Sequence, residues 1–265
     1  MPTMPIGDGR HVYYAFDRAD DADAPAVMLV HGLAESGEAW ADWVPHLRGR
    51  FHVLRPDLRG YGQSTPLPAH HDWRFDELTG DLAALVGHLG LQQVDLVGAK
   101  IGGTVAMRFA MTRPELVRTL SVVGASPDMS FMAARGHGWV DMIAEKGVEH
   151  WVRETTPGRM GSDLAPDLVE WWIDLMSRTA ASTLQGFLQM VPTVDVSDGL
   201  GDIRAPTLVI TSSGGLSAVD DVRRWQLRIP NSRLVVVQAS SYHIAGSHVD
   251  RCAEEVVGLI EEAGR

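Results

Sequence analysis

A lysine lies at the centre of a glycine-rich turn between an apolar segment and a segment with helical spacing. Residues 94–99 (VDLVGA) have the composition of a buried strand, and residues 104–111 (TVAMRFAM) continue as a helix. Gly98 and the Gly102–Gly103 pair bracket the turn, and Lys100 is its central residue. Glycine has no Cβ atom, so such a turn lets strand and helix pass closely and lifts one side chain above the sheet. The spacing predicts that Lys100 is presented to a site.

A lysine presented in this way can do two kinds of chemistry. As a neutral amine it attacks a ketone or aldehyde and forms a Schiff base, which supports retro-aldol cleavage, decarboxylation or dehydration. Without a covalent bond it acts as a general acid or base, or as a fixed cation that stabilises an enolate. We favour the noncovalent role because it needs the smaller decrease in pKa. The alternative is a lysine without function whose amine reaches water.

The surroundings of the turn bear on the protonation state of Lys100. A helix N-terminus repels a cation, and an apolar lid above it would disfavour any charge. Both effects lower the pKa of a lysine from its usual value of about 10.4. We therefore expect the amine form of Lys100 to be accessible near neutral pH.

Three further segments, in chain order, resemble the α/β-hydrolase superfamily. Residues 27–40 (VMLVHGLAESGEAW) are similar to its strand and His-Gly loop, and residues 55–65 (RPDLRGYGQST) to its D-x-R-G-x-G-x-S turn. Residues 240–248 (SSYHIAGSH) lie where the family has its catalytic histidine. The turn at Lys100 is similar to the nucleophile elbow, G-x-S-x-G, with lysine in place of serine. The resemblance covers nearly the whole chain and implies an α/β-hydrolase fold, a mostly parallel, doubly wound sheet with a helical cap insertion.

The resemblance also implies the other members of the site. His243 matches the family's histidine, and the main-chain N–H groups of Leu33 and Ile101 match those that bind a developing oxyanion. The usual carboxylate is missing, because Gly215 stands about where it should be. Some members of the family carry the acid after the preceding strand, which makes Asp128 the candidate replacement.

Several residues keep two interpretations. Glu35 either points into the pocket or is a solvated acid near the start of the next helix. His137 and Trp139 either reach the cavity or pack the cap against the core. His70 and His71 are adjacent but lack other ligands at metal-site spacing, so we expect no metal and no cofactor.

The order of elements predicts the domain organisation. Strand and helix patterns alternate before residue 125 and again after residue 199. The segment between them is rich in Met and Trp and has helical but no strand patterns. We therefore predict a core of residues 1–125 and 199–265 and a helical cap of residues 126–198.

The composition narrows the class of partner. The chain has 265 residues, 45% of them hydrophobic, enough for one large domain with an insertion. Its formal net charge of −11 argues against nucleic-acid and anionic-membrane surfaces, so we expect a small-molecule substrate. Cys252 is the single cysteine and no stretch reaches the roughly 18 apolar residues of a membrane span, which fits a cytoplasmic location. A homodimer is left open.

Three functions are compatible with these features. The first is a cofactor-independent enzyme that acts on a small, largely apolar carbonyl compound by lyase, decarboxylase, isomerase or cyclase chemistry. The second is a hydrolase in which His243 activates water and Lys100 polarises the substrate. The third is a ligand-binding receptor that has lost catalysis. Serine-esterase turnover is disfavoured, because the amide that an acylated lysine forms resists hydrolysis.

Overall fold

The fold is built on one β-sheet. A computed structural model describes residues 2–162, 164–215 and 217–264, without the side chains of Arg135 and His137. Within this described part, the sheet has eight strands. They are β1 (Thr3–Gly7), β2 (Arg10–Asp17), β3 (Ala26–Val30), β4 (His52–Pro56), β5 (Val94–Ala99), β6 (Val117–Val123), β7 (Thr207–Ser212) and β8 (Ser232–Val237).

The strands follow the order β1-β2-β4-β3-β5-β6-β7-β8 across the sheet. The pairs β1–β2 and β2–β4 are antiparallel, and all pairs from β4 to β8 are parallel. This arrangement confirms the predicted α/β class and the mostly parallel sheet. Strand β1 pairs with β2 and forms one edge of the sheet.

Helices connect the parallel strands and cover both faces of the sheet. They are α1 (Val44–Leu47), α2 (Phe75–His88), α3 (Ile101–Thr112), α4 (Ala133–Lys146), α5 (Val148–Met160), α6 (Pro166–Ser177), α7 (Ala181–Met190), α8 (Val219–Gln226), α9 (Ile244–Ser247) and α10 (Val249–Ala263). A 3-10 helix, Gly37–Trp43, directly precedes α1.

The core lies on both faces of the sheet because successive strand side chains point to opposite sides. In β3, Met28 and Val30 pack into the cluster that contains Leu82 and Leu85 of α2. Val27 and Leu29 pack into the second cluster, with Val256 and Ile260 of α10. All five residues of β3 are buried, which is why this strand reads as a continuous apolar run.

Helices α4–α7 lie between β6 and β7 in the chain, in the segment predicted as a cap. Phe187 of α7 packs edge-on against Tyr61 and Trp73 of the core, with ring centroids 5.4 Å and 5.1 Å apart. Phe187 thus joins this segment to the core. In the described ranges, no helix is both long and apolar enough to span a membrane.

Candidate active site

The turn after β5 holds Lys100 in a backbone conformation that only a constrained site maintains. Lys100 has φ 55° and ψ −127°, a combination that costs a non-glycine residue about 1–3 kcal/mol. Its N–H donates to the carbonyl of Val123 at 3.0 Å, which fixes the turn to β6. Cβ atoms built on Gly98 and Gly102 would each lie 2.3 Å from a main-chain oxygen. The glycines therefore allow α3 to begin directly against the strand ends, as predicted.

The amine of Lys100 meets a buried carboxylate. Lys100 Nζ donates a hydrogen bond to Glu35 Oε1, and His243 Nε2 lies 3.0 Å from the same oxygen. The side chains of Glu35 and His243 are 2% and 1% exposed, and that of Lys100 is 10% exposed. The structure therefore joins two predicted site residues, Lys100 and His243, through a third, Glu35. We call these three residues the trio.

The loop after β3 holds Glu35 rigidly. Glu35 Oε2 accepts a hydrogen bond from the N–H of Gly32 at 2.8 Å. Ala34 has φ 62°, a strained value for a residue with a side chain, and its carbonyl accepts a hydrogen bond from Thr179 Oγ1 at 3.0 Å. With both carboxylate oxygens engaged, Glu35 is the fixed centre of the trio. The alternative in which Glu35 is a solvated surface acid is wrong.

The geometry of His243 determines which ring nitrogen carries the proton. Its Nε2 faces a carboxylate oxygen, which only accepts, so Nε2 is the donor. Nδ1 is buried and has no hydrogen-bond partner among the described residues. The ring packs edge-on against Trp172 of α6, with centroids 4.4 Å apart. Burial lowers the pKa of His243 well below 6.5, and nearby Lys100 and Arg159 lower it further, which favours the neutral ring.

Burial also sets the protonation state of the amine. It lowers the pKa of Lys100 well below its usual value of 10.5, and the positive charge of Arg159 adds to the decrease. The direction agrees with the expectation from the sequence, and the largest cause is loss of solvation. The ring of Trp172 is a neighbour of this amine, with Lys100 Nζ 5.9 Å from the ring centroid.

The main-chain amides predicted to bind an oxyanion belong to the two segments that meet at Lys100. Ile101 begins α3, and the first N–H groups of a helix have no acceptor within it. Leu33 follows Gly32, where a Cβ atom would lie 2.5 Å from Lys100 Cε. The start of α3 packs against this loop at Gly102.

Comparison with known proteins places this arrangement in a family. A family model of the alpha/beta hydrolase fold matches residues 25–165. The chain belongs to the alpha/beta hydrolase family. It is 28% identical over 243 residues to pimeloyl-[acyl-carrier protein] methyl ester esterase from Aeromonas hydrophila, covering 87% of this chain and 93% of that protein. It is 23% identical over 220 residues to (E)-2-((N-methylformamido)methylene)succinate hydrolase from Acinetobacter baylyi, covering 80% and 79% of the two chains.

A solved alpha/beta hydrolase structure extends the likeness of fold over almost the full length. The enol-lactonase from Burkholderia xenovorans LB400 superimposes with a TM-score of 0.88 at 20% identity, covering 98% of this chain and 100% of that chain. The predicted resemblance to this superfamily is thereby confirmed.

The structure does not bring Asp128 to His243. The Asp128 carboxylate accepts hydrogen bonds from Ser130 N and Oγ, at 2.8 and 2.9 Å, and closes a local turn. The position expected for the alpha/beta hydrolase acid is lined by Ser212 and Gly215 beside Tyr242. Within the described residues, the carboxylate that contacts His243 is Glu35, which approaches from the Nε2 side.

Trp139 and His137 are the two cap residues predicted either to reach the cavity or to pack the cap against the core. Trp139 packs edge-on against Trp151, with centroids 5.6 Å apart, and its ring lies 5.7 Å from the guanidinium carbon of Arg159. His137 falls among the side chains that the structure does not describe.

Two residues near the trio were not predicted as members of the site. Trp172 stood among many cap tryptophans, and Arg159 reads as an ordinary basic residue near the end of a helix. Only tertiary packing brings them to the trio, so the local sequence carries no signal for either.

Two cavities border the trio, one at Glu35 and one at Lys100. A cleft of about 320 Å³ reaches Glu35 and is lined by Tyr13, Arg55, Leu175 and other residues. A cavity of about 50 Å³ borders Lys100. The second holds only a few atoms, so a larger substrate reaches the amine only if neighbouring side chains move. No cluster of three or more His, Cys, Asp or Glu suited to a metal exists in the ranges described above.

The close packing of Lys100 and Glu35 against Gly32 predicts that a side chain at position 32 would disturb the trio. In Gly32→Ala, the new Cβ atom displaces Lys100 Cε and crowds Glu35 Oε2, which would lie 3.0 Å away. We expect the unfolding temperature to change little, because the end of a flexible side chain can move. Any activity that depends on Lys100 should fall about 10²-fold, since a shift of about 1 Å has that effect on positioned groups.

The matched control is Gly80→Ala, at a helical glycine whose added Cβ atom meets nothing within 4 Å. Thermal unfolding and turnover are measured on both variants. Full activity in Gly32→Ala would show that the position of the amine does not matter.

Proposed function

We propose that this chain is a cofactor-independent enzyme that moves protons on a small, largely apolar carbonyl compound, with Lys100 as the group that meets the substrate. The reaction is of the lyase, decarboxylase, isomerase or cyclase type. One observation carries the proposal: Glu35 Oε1 is hydrogen-bonded to both Lys100 Nζ and His243 Nε2 in a buried position. This arrangement supports proton transfer rather than acyl transfer.

Lys100 is the member of the trio that borders the small cavity of about 50 Å³. Glu35 uses both oxygens on Gly32, Lys100 and His243, and Nε2 of His243 is directed at Glu35. The amine of Lys100 uses one N–H on Glu35, so a second N–H and its lone pair remain for a substrate in the cavity that Lys100 borders. Glu35 is therefore a positioning residue, and Lys100 is the proposed base.

The proposed step balances without a cofactor. The Lys100 amine takes a proton from the carbon next to the substrate carbonyl, and the C–H electron pair becomes the C=C bond of an enolate. The negative charge goes to the carbonyl oxygen, where the amides of Leu33 and Ile101 and the new ammonium stabilise it. The ammonium then returns the proton to carbon or to a leaving group, and the amine is regenerated.

The lowered pKa of Lys100 is what makes this base available. A general base works best when its pKa lies near the operating pH, and an ordinary lysine is protonated there. Burial lowers the pKa of Lys100, which is the direction that a base acting near neutral pH requires. The pH profile of activity is therefore expected to rise through a pKa well below 10.5.

The experiment follows exchange of α-protons in D2O by proton NMR, with cyclohexanone, acetophenone and 4-oxopentanoate as probes. We expect enzyme-dependent loss of the α-proton signal from at least one probe. Borohydride is added in parallel, and a reduced adduct on Lys100 by mass spectrometry would indicate the Schiff-base version. Binding of a probe without exchange would contradict the proposal and support a receptor.

A hydrolase is the second candidate, and the names of the two relatives, an esterase and a hydrolase, favour it. In this version a water activated at His243 attacks the substrate while Lys100 polarises the carbonyl. It predicts hydrolysis of p-nitrophenyl acetate that depends on both residues, without α-proton exchange. That pattern would replace the first candidate.

A further inference from the structure

Arg159, near the end of α5, is a buried cation without a matching anion. The residue is 4% exposed, and its Nε and Nη2 atoms have no hydrogen-bond partner among the described residues. Nη1 contacts only a weak acceptor, the sulfur of Met176, at 3.3 Å. A buried guanidinium with two free donors is unfavourable unless something else completes it.

Aromatic rings hold this guanidinium in place. Its central carbon lies 4.5 Å from the ring centroid of Trp151 and 5.7 Å from that of Trp139. Cation–π contacts of this kind fix the plane of the group but leave its in-plane N–H donors available. The guanidinium of Arg159 is therefore held in one orientation, and its Nε and Nη2 donors are unused.

The guanidinium lies next to the trio. Trp172 and Met176 are four residues apart in α6 and share one face of that helix. Trp172 packs on His243, and Met176 contacts Arg159, so one face of α6 contacts both residues. Ser241 links their backbones, donating through Oγ to the Arg159 carbonyl and accepting from the His243 N–H, each at 2.9 Å.

Other arginines in the molecule show which group the Nε and Nη2 donors of a guanidinium bind together. Arg59 uses Nε and Nη2 to hold the two carboxylate oxygens of Asp81, at 2.6 and 2.7 Å. Arg108 uses the same pair on Asp76, at 2.7 and 3.0 Å. Nε and Nη2 are also the two unpartnered donors of Arg159. A planar carboxylate matches this fork.

We infer that the substrate carries a carboxylate a few bonds from its carbonyl group, and that Nε and Nη2 of Arg159 bind it. The inference rests on the proposed function, since it assumes that the carbonyl reacts at Lys100. The charges agree with it, because Glu35 is engaged by Gly32, Lys100 and His243, while Nε and Nη2 of the Arg159 guanidinium have no acceptor among the described residues. A keto acid supplies that acceptor and directs its carbonyl toward the amine.

The test compares 4-oxopentanoate with 4-oxopentanamide, which share the ketone and differ in charge. Binding is followed by tryptophan fluorescence, because Trp139 and Trp151 flank the guanidinium. We expect wild type to bind the acid about tenfold or more tightly than the amide. Arg159→Gln should remove this preference, and Arg159→Lys should restore only part of it because lysine lacks the fork. The control Arg153→Gln, at an exposed arginine of α5, should retain it.

The possible results are separable from those of the proposed function. Equal binding of acid and amide by wild type, or an unchanged preference in Arg159→Gln, overturns the inference. Should Arg159→Gln fail to fold, wild type still decides, because the acid should raise its unfolding temperature more than the amide does. An acid preference that depends on Arg159, without any α-proton exchange, would support the anion site and contradict the chemistry assigned to Lys100.

Discussion

Replacing Lys100 by methionine should lower the rate of enzyme-dependent α-proton exchange by about 10²- to 10⁴-fold, the usual contribution of a general acid or base. Methionine keeps the length and apolar stem of the side chain but has no amine. The rate is measured by proton NMR in D2O on the ketone probe that wild type exchanges fastest. The effect follows from the place of the amine, which borders a cavity while Glu35 and His243 are occupied with one another.

The chain offers a matched control for this substitution. It contains one other lysine, Lys146, which is exposed at the end of α4. Lys146→Met should exchange at the wild-type rate. If Lys100→Met also kept full activity, the amine would have no part in the reaction, whatever its position.

Removing the charge of Glu35 should have the largest effect on stability. Glu35→Gln removes the carboxylate to which two buried donors, Lys100 Nζ and His243 Nε2, are hydrogen-bonded, and leaving buried donors without their acceptor costs about 1–3 kcal/mol each. Exchange activity should fall as well, because the amine loses the group that positions it. The free energy of unfolding is measured by urea denaturation at neutral pH.

A double-mutant cycle separates this pair from general damage. Glu35→Gln combined with Lys100→Met removes both partners of the hydrogen bond, so it should be more stable than the sum of the two single losses predicts. Glu38→Gln is the control, since Glu38 pairs with Arg178 at the surface, and its loss should cost less than about 1 kcal/mol. Additive losses at Glu35 and Lys100 would contradict direct coupling between them.

The turn at Lys100 was predictable because its signals are local. Glycines on both sides of one residue, between an apolar run and a helical pattern, leave few alternative conformations. The positive φ of Lys100 and the close packing at Gly98 and Gly102 are what such a turn requires. The buried strands were predictable for the same reason, since each is a short continuous apolar run.

The hairpin at the edge of the sheet has a local signal in the sequence. Asp8 and Gly9 both have positive φ, 51° and 71°, and form the two-residue turn of a hairpin between β1 and β2. An Asp-Gly pair favours such a turn. The strand before it is short and half-exposed, so its apolar pattern alone is weak.

The remaining parts of the site depend on tertiary contacts. Glu35 is 65 residues from Lys100 and 208 residues from His243 in the chain, and its burial follows from a strained loop. Asp128 was the better candidate by family position, but a local turn with Ser130 engages it. Arg159 and Trp172 reach the trio only through the packing of α5 and α6.

The pKa of the amine tests the central claim most directly, and the presence of only two lysines makes it measurable. Wild type labelled with [ε-¹³C]lysine is titrated by NMR, and the resonance absent from Lys100→Met is assigned to Lys100. The account predicts that Lys100 loses its proton at a pH well below 10.5, because burial and Arg159 both disfavour its ammonium form. Titration of the Lys100 resonance near pH 10.5 would contradict it.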